Sequence, residues 1–127
     1  MTRRGTAGWT FIEILIVLVI ISLLATIVIP RFTSERDKAL VATMQTDLRN
    51  LLAQEEIWKL DSGAYTKSLP PSVWSPSTGV SVPVITLTGD GWTASLGHVS
   101  SLRTCAIFVG STSLAPASKE GVPGCTP

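Results

Sequence analysis

Apolar residues run from Trp9 to Ile29, 21 positions interrupted only by Thr10, Glu13, Ser22 and Thr26. The run is rich in β-branched side chains, which suits a buried strand, but strands in small domains are far shorter. Its length therefore predicts a helix of about 31 Å, matching a hydrocarbon core of roughly 30 Å. Pro30 has no amide hydrogen and crowds the carbonyl one turn back, so a break or kink is predicted there. Ser34, with Asp37 three residues on, then offers the cap of a second helical stretch. In it Leu40, Met44, Leu48, Leu51 and Trp58 recur at intervals of three, four and seven, with Arg36, Lys38, Asp47, Arg49 and Glu56 on other faces. Asp61-Ser62-Gly63 supplies the stop. From Trp9 to about Leu60 the helical stem would measure about 78 Å, more than a globule of this size encloses.

Beyond residue 62 the pattern changes to short alternating runs. This part holds eight of the ten glycines and seven of the eight prolines. Val80–Thr88, the turn Gly89-Asp90-Gly91 and Trp92–His98 read as a hairpin, with Trp92, Ala94, Leu96 and His98 on one face. Pro83 assigns its strand to an edge or its own position to a strand start. Cys105–Val109 is a third strand, and Gly110–Pro127 reads as coil. The predicted class is α+β: a helical stem kinked or melted near Pro30, carrying a small antiparallel sheet. The expected segments are a leader at 1–8, an apolar helix at 9–30, an amphipathic helix at 31–61 and a sheet domain at 62–127.

Charge sharpens this layout. Residues 14–30 carry none, and 31–67 hold twelve of the nineteen charges, six of each sign. Residues 68–127 hold only Asp90, Arg103, Lys119 and Glu120. With a formal charge of +1 over 127 residues, no chain-wide field exists for coating nucleic acid. Arg3 and Arg4 precede the apolar run, the order of a segment whose start stays in the cytoplasm. A cleaved secretory signal fits less well. Leu23 stands where an exit near Ala25 wants a small side chain, and the apolar run continues past it.

Candidate chemistry is sparse. Cys105 and Cys125 enclose 19 residues in a tail rich in Gly, Pro, Ser and Thr, which reads as a disulfide formed outside the cytoplasm; two buried free thiols are the alternative. His98, the only histidine, stands in an alternating strand and reads as a sheet-surface or packing residue. Glu55 and Glu56 are sequence neighbours on a helix surface and read as solvated charges rather than a paired acid and base. Asp90 between two glycines reads as a turn residue, with calcium binding a minor reading for want of carboxylates beyond Glu120. Trp58, Trp74 and Trp92 read as core residues before they read as ligand platforms. No metal set, cofactor motif or enzyme is indicated.

One residue resists the bland reading. An ionised Glu13 inside the apolar run costs about 2.5–3.5 kcal/mol at mid-bilayer and less near the interface, and a plain anchor has no use for it. The junction Gly8-Trp9-Thr10-Phe11-Ile12-Glu13 resembles the processing site of type IV pilins and pseudopilins. There a short basic leader ends in Gly, an apolar or aromatic residue follows, then Thr, with Glu fifth. Gly8 takes the leader's last place and Trp9 the first mature place, where the family most often has Phe. Pro30 falls where such stems commonly carry a proline.

The resemblance implies cleavage between Gly8 and Trp9 by a prepilin peptidase, N-methylation of Trp9, and an inner-membrane assembly platform. The carboxylate of Glu13 would meet the Trp9 α-amine of a neighbouring stem and set the register of a helical filament of identical subunits. The chain would begin as a single-pass protein of the cytoplasmic membrane and end in an extracellular or periplasmic filament. Nucleic acid is not an expected partner unless the filament serves DNA uptake. The Cys105–Cys125 loop resembles the C-terminal disulfide loop of pilins, and the tail lacks the acidic calcium ligands of major pseudopilins. A type IV pilin is therefore the first reading and a type II secretion pseudopilin the second. A membrane-anchored binding module that never polymerises is the third.

Overall fold

The computed structural model describes residues 8–127. The chain divides into two units, one ending at Arg36 and the other comprising Asp37–Pro127. Helix α1, Phe11–Ser62, contributes to both.

In the first unit the large apolar side chains of α1 are exposed, from Phe11 to Ile29 and again at Phe32. The hydroxyls within the run return to their own helix: Ser22 Oγ donates to the Leu18 carbonyl and Thr26 Oγ1 to that of Leu23, each at 2.7 Å. This is how hydroxyl side chains are accommodated in an apolar helix. The break expected at Pro30 and the restart expected at Ser34 are not found, because α1 continues through both. Proline removes a single donor from the ladder, and the turns on either side carry the helix across it.

In the second unit the buried stripe of α1 is Met44, Leu48, Leu51 and Glu55, flanked by the partly buried Val41 and Trp58. These positions alternate steps of three and four, the spacing of one helical face. The helix ends as its sequence suggests. Gly63 takes φ +82° and its amide reaches the Lys59 carbonyl at 2.8 Å, a left-handed cap that glycine adopts without strain.

The sheet is antiparallel in the order β1 (Val84–Leu87), β2 (Trp92–Gly97), β3 (Thr104–Val109), β4 (Gly124–Cys125). The predicted hairpin is present, shorter in its first arm, with Leu87 facing Trp92 and an isolated bridge pairing Val80 with His98. Pro83 immediately precedes β1, where its missing donor interrupts no ladder. The tail expected as coil supplies β4, which pairs Cys105 with Cys125 and Ala106 with Gly124. Alternation sends Trp92, Ala94, Leu96, Cys105 and Ile107 into the core with Met44, Leu48 and Leu51. The opposite face is covered too: Ala106 and Phe108 pack with Leu114 and Ala117 of the tail.

Candidate assembly site

The start of α1 is a reciprocal cap. The Thr10 amide and hydroxyl both donate to Glu13 Oε2, at 3.0 and 3.1 Å, and the Glu13 amide points back to Thr10 Oγ1 at 3.4 Å. Thr-x-x-Glu is the capping-box spacing, and it gives the carboxylate partners within its own chain. The Thr10-Phe-Ile-Glu13 spacing in the sequence is itself the signal for this cap. Trp9 is 74% exposed, and Gly8 has no heavy atom within 4 Å of where a Cβ would stand. Arg3 and Arg4, the basic part of the expected leader, lie outside the described residues. From Phe11 the helix is long and apolar enough to cross a membrane. A carboxylate therefore stands at the start of an unburied apolar helix, next to an exposed aromatic residue.

The other candidate residues fall in the second unit and hold it together. Cys105 and Cys125 form a disulfide across paired positions of β3 and β4, so neither cysteine is free. Trp92 is fully buried, and Trp58 and Trp74 pack against the same core. His98 Nδ1 accepts the Ser100 amide at 3.0 Å in the turn after β2. Asp90 is the turn residue expected, and its role extends further. Its Oδ2 accepts the Ser111 amide at 2.7 Å while Glu120 Oε1 accepts the adjacent Gly110 amide at 2.7 Å. Hydrogen bonds from Ser111 hold the Asp90 carboxyl below its ordinary value. Among the described residues no three His, Cys, Asp or Glu side chains group as metal ligands.

Two expectations about charge are corrected. Asp47, expected on a face away from the apolar stripe, is buried, and it accepts both the amide and the hydroxyl of Ser77. Glu55 is fully buried with Oε2 accepting the Thr66 amide at 3.1 Å, while its neighbour Glu56 accepts the Tyr65 hydroxyl at 2.7 Å. Lys59 completes this junction, its Nζ 3.2 Å from the Tyr65 hydroxyl. These carboxylates hold the connection between α1 and the sheet. The available signal was the stripe itself, since residue 55 fills the gap between Leu51 and Trp58.

An unburied apolar helix with a carboxylate at its start and a disulfide-tied antiparallel sheet are consistent with a pilin-like α+β fold. No model of a protein family matches the chain. Individual proteins do. The type II secretion system core protein G of Pseudomonas aeruginosa is 40% identical over 65 residues, 51% of this chain and 46% of that protein. Its namesake in Klebsiella michiganensis is 34% identical over 65 residues, again 46% of its length. The type IV wide pilus major component PilA4 of Thermus thermophilus is 25% identical over 99 residues, 75% of this chain and 76% of that protein. The chain thus spans about half the length of the secretion-system relatives it matches. It is similar both to type II secretion pseudopilins and to a type IV pilin.

Proposed function

We propose that this chain is a non-catalytic filament subunit whose N-terminal helix first anchors it in the cytoplasmic membrane and then packs among identical helices. The observation that carries this reading is the exposure of every large apolar side chain from Phe11 to Ile29 beside the single carboxylate of Glu13. In water so much apolar surface is untenable, so lipid or other copies of the helix must cover it. Cleavage by a prepilin peptidase after Gly8 frees the α-amine of Trp9, which is then N-methylated, and an inner-membrane platform adds the subunit to the filament. Glu13 exchanges its Thr10 partners for the Trp9 amine of a neighbour, and a wrong register leaves a buried charge unpaired. Within the filament the stretch from Ala25 to Phe32 unwinds, because Pro30 already lacks one hydrogen bond and neighbouring stems shield the freed carbonyls from lipid.

Two tasks fit such a subunit. A surface pilus is supported by the extent of the likeness to the Thermus protein and by the disulfide-closed tail. A periplasmic secretion pseudopilus is supported by the higher identity to core protein G. Shear preparations beside periplasmic fractions of the same cells distinguish them.

The deciding experiment pairs mass spectrometry of the purified subunit with a Glu13→Leu variant. The mature chain is expected to begin at N-methylated Trp9. The variant is expected to reach the membrane at least as well as the parent, since the costly carboxylate is gone, and to yield few filaments. Normal filament yield at equal subunit level would return the protein to the anchored-module class.

A further inference from the structure

Glu55 differs from the other glutamates described in residues 37–127: it is completely inaccessible to solvent. Its place in the helix stripe puts it where Leu51 and Trp58 meet the sheet. One carboxyl oxygen has a partner, the Thr66 amide; the other, Oε1, is buried with none. The indole nitrogen of Trp92, in the same core, is likewise buried without a partner. An ionised carboxylate offers about four acceptor sites, so a single amide leaves most of its solvation unreplaced.

No neighbouring element supplies a compensating cation. Strands β1 to β4 contain no charged residue. On α1, Glu56 is another anion, and Lys59 is committed to Tyr65, donating to its hydroxyl and lying 4.3 Å over its ring. On the connection, Tyr65 is engaged by that pair, and Lys67 is exposed. In the turn after β1, Asp90 holds Ser111. On the tail, Lys119 is exposed, and Glu120 holds Gly110.

We propose that Glu55 is folded into the core as a neutral carboxylic acid and serves as a proton-operated latch on the connection after α1. Protonated, it seals Thr66 against the helix and keeps Tyr65 edge-on to Trp92, ring centroids 6.3 Å apart. When the proton leaves to solvent, the anion demands hydration that the closed core cannot give, and the connection opens to admit water. Burial pushes the Glu55 carboxyl above its ordinary value; the Thr66 amide opposes that rise and the Glu56 charge adds to it. The sign follows. A group that binds its proton more tightly when folded contributes stability that is complete below its unfolded value and is lost as pH rises through the folded value. The latch is independent of the filament reading, because every group in it lies in the sheet-bearing unit.

The test uses the full chain in detergent micelles, following glutamate carboxyl carbons and the Thr66 amide by NMR between about pH 4 and pH 9. The Glu55 carbon is expected to titrate above every other glutamate. Between the ordinary glutamate value and the raised one, Thr66 protection against hydrogen exchange is expected to fall about tenfold per pH unit. Glu55→Gln, which keeps the shape and removes the proton, is expected to hold that protection constant. Titration of Glu55 among the ordinary glutamates, or an unchanged pH dependence in Glu55→Gln, would overturn the proposal. Should the variant fail to fold, the carboxyl titration of the parent chain decides alone.

Discussion

Asp47 and Ser77, thirty residues apart, are joined by both oxygens of one carboxylate: Oδ2 takes the Ser77 amide and Oδ1 its hydroxyl, each at 2.8 Å. The pair pins the proline-rich connection to the buried face of α1, just before the Val80 amide turns back to the Ser77 carbonyl. Charge-assisted bonds of this kind contribute more than neutral ones, and here one carboxylate makes two of them. Asp47→Ala is expected to cost about 3 kcal/mol, and Asp47→Asn, which keeps one acceptor, about half. Urea denaturation in micelles followed by tryptophan fluorescence measures both; equal midpoints for parent and Ala variant would remove this role.

Acid should loosen the opposite end of the sheet. Ser111 holds the Asp90 carboxyl below its ordinary value, so its contribution is present above the unfolded value and is lost as pH falls through the folded one. Protection of the Ser111 amide against exchange is expected to decline at low pH in the parent chain. In Asp90→Asn it should lie lower at neutral pH and change little on acidification.

The disulfide offers a third check. Denatured, unreduced protein should show no free thiol, since Cys105 and Cys125 are bonded. Replacing both by Ser is expected to lower stability by about 3 kcal/mol, from the loop-closure entropy restored to the unfolded chain, while leaving membrane insertion unchanged. Thiol labelling and a membrane-fraction blot read the two outcomes.

Gly91 and Gly89 provide a matched pair within one turn. A methyl on Gly91 would overlap the Val109 carbonyl oxygen, a backbone atom fixed by the β2–β3 ladder, whereas one on Gly89 meets nothing within 4 Å. Gly91→Ala is expected to cost about 2 kcal/mol or more and Gly89→Ala close to nothing, as thermal unfolding will report.

Residues whose chemistry matches their place were legible beforehand. The apolar run, the Gly63 stop, the hairpin around Asp90 and the strand ending at Val109 all follow from periodicity and turn chemistry. What escaped was a set of mismatches. Asp47 and Glu55 are polar side chains on a buried face, and only tertiary partners at Ser77 and Thr66 make them tolerable there. Strand β4 is two residues long with Pro123 just before it, too short for any alternation to show. At Pro30 a local rule gave way to the cooperativity of a long helix, whose flanking turns outlast one missing bond.

Exposed apolar surface invites the wrong fibre as well as the right one. Sheets propagate between molecules through unpaired strand edges, the route to amyloid. Here the outer strand β1 spans four residues, with Pro83 before it and Gly89 two positions beyond. So brief an edge gives a stray strand little to template on. At the other margin β4 is shorter still, so neither edge favours runaway growth, and the exposed apolar stretch of α1 is the surface that remains to be covered.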